Sequence, residues 1–164
     1  MRRCLFSIII LLLTGIIAFG QNVTVDDIIA ANKPEQFSAA FVQTKHSSLL
    51  KDNLVSKGSI VLTKPGKIHI EMTAPEAKVS DYDSFEEMKG FGRRSPSEKD
   101  FDITLLEGDG YILKMIPRRS ALRQAFTQIV VYVNVNTLIV NKIIVYSRGG
   151  DVTTLEFSDI KTVK

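Results

Sequence analysis

Residues 58–72 carry the clearest alternation of apolar and polar positions in the chain. In each half, apolar residues two positions apart fall on one face of an extended strand: Ile60 and Leu62 in the first half, and Ile68, Ile70 and Met72 in the second. Between the two halves, Pro65-Gly66 suits a tight turn, because proline sets the first dihedral and glycine accepts a positive φ. The pattern predicts a hairpin of residues 58–63 and 67–72 in a half-buried antiparallel sheet.

The same alternation predicts a strand over residues 37–44, with Phe37, Ala39 and Phe41 on one face. Residues 47–57 are predicted to form a polar turn or loop. From residue 101 onward the chain is nearly all strand, interrupted by short turns that contain Gly and Asn. The predicted strands are 101–106, 111–116, 127–135, 138–146 and 152–157. Successive strands with short turns predict an antiparallel meander.

Two short helices are predicted. The first starts at Thr24, with Asp27 three residues on in an acidic form of the capping box, and Pro34 limits it at about Asn32. The second has a capping-box start at residues 84–87. A short helix needs a partner surface to be stable, so both are expected to pack on the sheet.

The first 20 residues have the pattern of a secretory signal peptide. They combine a basic start, an apolar stretch over residues 5–19 and the small-residue cleavage pattern Ala18-Phe19-Gly20. We predict cleavage before Gln21 and secretion across the inner membrane, which leaves residues 21–164 as one domain. The alternative is an uncleaved anchor, but the apolar stretch is shorter than the roughly 20 residues that a spanning helix needs.

The cysteine content and the net charge of the chain exclude several classes of function. Cys4, the only cysteine, lies in the predicted signal peptide, so the mature chain has no disulfide, catalytic thiol or thiolate metal site. Removal of Arg2 and Arg3 lowers the formal charge from +3 to +1. The chain has no basic stripe with interleaved aromatic residues, so nucleic acid is not expected as a partner.

The sequence shows no catalytic or metal-binding constellation. His46 and His69 are the only histidines, and neither a nucleophile elbow nor an H-E-x-x-H motif is present. Asp81 and Asp83 lack the loop glycine and the distal glutamate of an EF-hand. We therefore expect a protein that is not an enzyme and that uses no cofactor or metal.

The order of the motifs resembles the periplasmic lipoprotein carrier family, the LolA-type proteins. The opening part has an F-x-x-x-F-x-Q strand at residues 37–43, a strand led by Gly58, a basic-Pro turn at Lys64-Pro65, and then Pro75. The later part is also similar, in the strand 111–117 that ends in proline, the hairpin from residue 129 and the closing strand 153–161. The resemblance covers most of the mature chain.

This resemblance implies an α+β fold: a strongly curved antiparallel sheet that forms an incomplete barrel, covered on its concave side by short helices. It implies a carrier that shields the acyl chains of lipoproteins in a hydrophobic cavity during transfer from the inner to the outer membrane. The implied partners are acylated lipoprotein cargo, an inner-membrane ABC lipoprotein-releasing complex and an outer-membrane acceptor. A monomer is expected.

The resemblance also implies the residues of the site. The acyl chains would contact apolar side chains of the strand faces and of the second helix: Phe37, Phe41, Ile60, Leu62, Ile68, Ile70, Met72, Met88, Phe91 and Leu113. Lys64 stands where the family has a basic residue that holds the helical lid closed, so Lys64 is either a latch or an exposed hairpin lysine. The apolar residues are equally compatible with an ordinary dry core.

Two departures from the family pattern leave alternatives open. After Pro75 the family has a further strand pair, whereas residues 74–88 here are predicted to pass almost directly into the second helix. The strand after Lys64-Pro65 also lacks the usual aromatic residues. The cavity would then be smaller and more open, or the cargo would be another lipid or a glycolipid. A secreted interaction module without a ligand is the third interpretation.

Overall fold

The computed structural model describes residues 22–64, 66–83 and 98–163. Within them, nine strands form a single sheet, accompanied by two short α-helices and a 3-10 turn at Glu98–Asp100. The elements in chain order are α1 (Val25–Ala31), β1 (Gln36–His46), β2 (Leu54–Thr63), β3 (Lys67–Ala74), β4 (Lys78–Tyr82), β5 (Phe101–Glu107), β6 (Tyr111–Pro117), α2 (Ser120–Ala125), β7 (Phe126–Val133), β8 (Val140–Ser147) and β9 (Val152–Val163).

The sheet consists of two meanders joined at their first and last strands. Its strand order is β4-β3-β2-β1-β9-β8-β7-β6-β5, and all neighbouring strands are antiparallel. The predicted antiparallel meander is confirmed for β5 to β9. In the described part of the chain, the outer strands β4 and β5 do not pair with each other, so the sheet is open.

The structure corrects two predictions made for the first meander. A strand, β4, follows Pro75 where none was predicted, and it pairs with residues 68–72 of β3. Strand β2 begins at Leu54, inside the stretch predicted to be a loop. The helix predicted from residue 84 lies outside the described residues, so a cover of two helices remains a prediction.

The capping box predicted for α1 is confirmed. The backbone N–H of Asp27 donates to the Thr24 hydroxyl at 3.2 Å, and Asp27 Oδ2 accepts from the Thr24 backbone N–H at 2.8 Å. Hydrogen bonds from the Thr24 side chain and backbone hold the pKa of Asp27 below its usual value. A lowered folded-state pKa stabilises the protein above the unfolded-state pKa, so this contribution is lost as the pH falls through the folded-state value.

The core lies on one face of the sheet. Ile28 of α1 packs with buried residues of β6 and β7: Leu113, Val131 and Val133. Leu122 of α2 packs near the other end of the same strands, with Phe101 and Phe126. In the described residues, no helix is both long and apolar enough to cross a membrane.

Gly58 is required by a close approach between strands. A Cβ atom there would lie 2.1 Å from the carbonyl oxygen of Glu71 and 3.0 Å from Cζ of Phe41. In the pairing of β2 with β3, the register shifts between Lys57 and Gly58. In the pairing of β2 with β1, Gly58 stands opposite Phe41. The missing side chain therefore lets β3 close on β2 while the Phe41 ring lies over the same spot.

We predict that Gly58→Ala lowers the free energy of unfolding by about 1–3 kcal/mol, because backbone atoms of β3 must move to admit the methyl group. The matched control is Gly149→Ala, in the β8–β9 turn, where a Cβ meets nothing within 4 Å. The control is expected to change stability by less than about 0.5 kcal/mol. Urea denaturation followed by circular dichroism measures both, and equal midpoints for the two variants would contradict the assignment.

Candidate functional site

An apolar cleft of about 370 Å³ opens at the end of the sheet where β1 begins. Its walls come from the segment after α1, the β2–β3 turn, and strands β8 and β9. The residues around it are Asn32, Lys33, Pro34, Phe37, Leu62, Thr63, Lys64, Gly66, Lys67, Ile68, Ile139, Val140, Ile143 and Phe157.

Strand pairing places the apolar wall residues side by side. Phe37 lies opposite Leu62, and Leu62 lies opposite Ile68, so all three share one face of β1, β2 and β3. On the other side, Phe157 of β9 meets Phe37 edge-to-face, with ring centroids 5.9 Å apart and planes at 88°. This geometry is favourable for aromatic pairs and joins the two walls of the cleft.

The structure describes eight of the ten predicted lipid-binding residues, and they lie in three places. Phe37, Leu62 and Ile68 line the cleft. Four others share their sheet face further along β1, β2 and β3 but do not line it: Phe41, Ile60, Ile70 and Met72. Leu113, only 5% exposed, is in the core beside Ile28. Met88 and Phe91 lie outside the described residues. The lipid-binding role of all ten residues remains a prediction.

The second wall of the cleft, formed by β8 and β9, was not predicted from the sequence. Val140, Ile143 and Phe157 line the cleft from β8 and β9. A period of two identifies the buried face within each of these strands, but it does not show which strand lies beside β1. That information is in the pairing of β1 with β9, which brings together residues more than a hundred positions apart.

Three lysines surround the mouth of the cleft: Lys33, Lys64 and Lys67. Nζ of Lys64 donates to Oε1 of Glu35 at 2.7 Å, and the Lys64 backbone N–H donates to the Glu35 carbonyl at 3.0 Å. These bonds tie the β2–β3 turn to the segment between α1 and β1. With one lysine matched by Glu35, the mouth keeps an excess of positive charge. A latch function of Lys64 remains a prediction.

Asn32 fixes the end of α1 to the sheet. Its Nδ2 donates to the carbonyls of Ile28 at 2.8 Å and Leu138 at 2.7 Å, and its Oδ1 accepts from the Val140 N–H at 3.0 Å. The side chain therefore closes the helix and holds the start of β8 in place at once. Helix-end composition predicts a polar residue here, but it does not reveal a partner 106 positions away.

The two histidines make contacts away from the cleft. His69 Nδ1 lies 2.6 Å from Asp81 Oδ1 across β3 and β4, and His46 Nδ1 lies 2.9 Å from Asn53 Oδ1 in the β1–β2 loop. Neither histidine lines the cleft. In the part of the chain that the structure describes, no group of three or more His, Cys, Asp or Glu side chains is placed to hold a metal ion. The cleft has the chemistry of an apolar binding site.

Comparison with protein families matches the first part of the sheet. Residues 32–81 match the family described as outer membrane lipoprotein carrier protein LolA. This segment runs from the end of α1 through β1, β2 and β3 into β4, and it contains one wall of the cleft. No curated protein sequence matches the chain.

Comparison with solved structures supports the same fold. A structure of MucB in complex with MucA(peri) has a TM-score of 0.53 at 13% identity, over 86% of this chain and 56% of that chain. The MucA/MucB complex of Pseudomonas aeruginosa has a TM-score of 0.50 at 14% identity, over 82% of this chain and 54% of that one. This chain thus spans little more than half the length of those MucB relatives.

A LolA superfamily protein from Nitrosomonas europaea aligns over 87% of this chain and 95% of its own, at 12% identity and a TM-score of 0.43. The family match confirms the resemblance seen in the sequence for residues 32–81. The MucB structures show that the fold of the chain is shared with known proteins. The resemblance covers the open antiparallel sheet and the segment that builds the first wall of the cleft.

We predict that Asn32→Asp lowers the free energy of unfolding by about 1–3 kcal/mol at neutral pH. The substitution keeps an acceptor for Val140 but replaces the donor with a carboxylate beside two carbonyl oxygens. The destabilisation should decrease at low pH, where the carboxyl group is protonated and can donate again.

The matched control for this prediction is Asn53→Asp. It preserves the oxygen that faces His46 in an exposed loop, and it is expected to change stability by less than about 0.5 kcal/mol. Urea denaturation at neutral and acidic pH measures both variants. An Asn32→Asp protein as stable as its parent at neutral pH would contradict the role assigned to Asn32.

Proposed function

We propose that this LolA-like chain is a carrier that shields an acyl chain in the cleft beside β1. The observation that carries the proposal is the apolar cleft of about 370 Å³ between the β2–β3 hairpin and strands β8 and β9. Binding sites for small ligands have volumes of about 300–1,000 Å³, so this cleft is at the small end of the range. Its size favours one acyl chain over several.

The energetics of apolar burial are sufficient for such a ligand. Each buried methylene is worth about 0.8 kcal/mol, so ten methylenes supply roughly 8 kcal/mol before any cost of rearranging the cleft. Acyl chains need no directed hydrogen bonds, which agrees with apolar walls. The lysines at the mouth, Lys33 and Lys67, would then face an anionic head group in water.

The full form of the proposal is a periplasmic carrier of lipoproteins between the inner and the outer membrane. The family match supports it, because residues 32–81 contain both the F-x-x-x-F-x-Q strand and the basic-Pro hairpin. The signal-peptide pattern in residues 1–20 supports export. Under this proposal the protein is not an enzyme. It receives acylated cargo from an inner-membrane ABC lipoprotein-releasing complex and delivers it to an outer-membrane acceptor.

Two other functions compete with lipoprotein transfer. A cleft sized for one chain favours a simpler lipid or a glycolipid as the cargo. The MucB structures are described as complexes with MucA, which supports a second class, recognition of a protein partner by the same fold. A module of that class would keep its apolar face as a dry core and take up no acyl chain.

We predict that Leu62→Trp weakens uptake of a fluorescent fatty acid at least about tenfold, because the indole would fill the cleft from the middle of its first wall. The matched control is Val61→Trp. Val61 is the adjacent residue on the same strand, and its side chain points to the opposite face of the sheet. Fluorescence titration of the exported protein and its two variants measures the dissociation constants, and circular dichroism checks that each is folded.

The two variants separate a cleft from a dry core. Wild-type uptake that is preserved in Val61→Trp and lost in Leu62→Trp supports carriage of an acyl chain. Absence of uptake by the wild type, or equal uptake by both folded variants, contradicts it.

A further inference from the structure

The loop between β1 and β2, residues 47–53, exposes two adjacent leucines. The Leu50 N–H donates to the Ser47 carbonyl at 3.1 Å, which closes a four-residue turn with Ser48 and Leu49 at its centre. Leu49 is 91% exposed and Leu50 is 45% exposed. The central positions of turns favour Gly, Asn, Asp, Ser and Pro, so a leucine at the tip contributes neither turn geometry nor packing. With Leu54 and Val55, the two leucines make four exposed apolar side chains within residues 49–55. Clustered exposure of this kind marks an interaction surface.

The base of this loop is well fixed. Ser47 is buried, and its hydroxyl oxygen accepts from the Leu49 N–H at 3.4 Å. Hydrogen bonds from the Ser47 hydroxyl and from Lys45, whose Nζ lies 2.9 Å from Oδ2 of Asp151, lower the pKa of that carboxyl group. These contacts join the loop to the β8–β9 turn. The leucines are therefore presented at a defined place at the end of the sheet.

The surroundings of the leucines are apolar and basic. Four charged residues lie in the loop and in the strand ends beside it: Lys45, Lys51, Asp52 and Lys57. Arg148 of the β8–β9 turn lies at the same end of the sheet, because His46 pairs with Val152. Leu54 and Val55, at the start of β2, are also exposed. Lys45 is matched by Asp151. Lys51, Lys57 and Arg148 against Asp52 still leave a net positive charge at this end of the sheet.

We propose that the β1–β2 loop docks the protein on an anionic membrane surface. Leu49 and Leu50 enter the boundary between head groups and acyl chains, and the neighbouring lysines face the anionic head groups. A stable protein partner would need about 800 Å² of surface on each side, far more than a tip of two leucines offers. Apolar insertion combined with basic flanks is the chemistry of a lipid interface.

This surface is separate from the cleft. The cleft lies where β1 begins, near Phe37, and the leucine loop follows the last residue of β1, His46. The nine residue steps from Phe37 to His46 along β1 separate them by about 30 Å, at about 3.3 Å per residue. Docking by the loop therefore goes beyond acyl-chain binding, and either activity can be lost while the other remains.

The absence of tryptophan from the chain allows a site-specific test. The exported protein carrying Leu49→Trp is mixed with vesicles of phosphatidylcholine alone, or of phosphatidylcholine with phosphatidylglycerol. The indole emission is expected to shift to the blue with the anionic vesicles and much less with the neutral ones. Val135→Trp is the matched control. Val135 is 52% exposed in the β7–β8 turn at the opposite end of the sheet, and its emission should not shift.

A second variant measures the contribution of the leucines to binding. In vesicle flotation, the double substitution Leu49→Ser and Leu50→Ser is expected to reduce binding to anionic vesicles at least about tenfold, with unchanged fatty-acid uptake and thermal stability. No blue shift for Leu49→Trp, or flotation of the double variant equal to the wild type, overturns the proposal. Equal shifts for Leu49→Trp and Val135→Trp overturn it as well.

Discussion

The pairing of β1 with β9 is the contact on which the candidate site depends. It extends from Gln36 opposite Val163 to His46 opposite Val152 and joins two meanders whose other strand pairs are all internal to one meander. Each meander supplies one wall of the cleft, and the edge-to-face contact of Phe37 with Phe157 joins the two walls. Because this pairing is the least local in the fold, forming it costs the most chain entropy, and the cleft exists only once it has formed.

Two of the four register shifts among the described strands lie near the cleft. The register shifts between Ser38 and Ala40 on the β1–β9 side, where Asp159 has a positive φ of 51°, and again where β8 begins opposite Val133. Bulges bend strands and increase their twist, and they recur next to binding sites. Asn32 then holds the end of α1 against the start of β8 with three hydrogen bonds. The Asn32 side chain thus fixes the end of α1 beside the cleft, which Asn32 itself lines.

Local patterns predicted the parts of the fold that local physics determines. The capping box of Thr24 and Asp27, the positive φ of Gly66 and the alternating faces of β1 to β3 all follow from neighbours in sequence. Strand β4 was missed because its residues, Lys78–Tyr82, lack an apolar alternation and are held by backbone pairing with β3. The second cleft wall and the bonds of Asn32 to Leu138 and Val140 were missed because each depends on residues about a hundred positions away.

The two ends of β1 carry different features: an apolar cleft at one end and a leucine-tipped, basic loop at the other. The proposed function requires that the cleft hold an acyl chain. Native mass spectrometry of the purified protein, followed by organic extraction and lipid analysis, tests this most directly. A carrier is expected to show an acylated adduct at a defined stoichiometry, and the head group of that adduct identifies the cargo class. A protein that carries no lipid from the cell and acquires none from added fatty acid would contradict it.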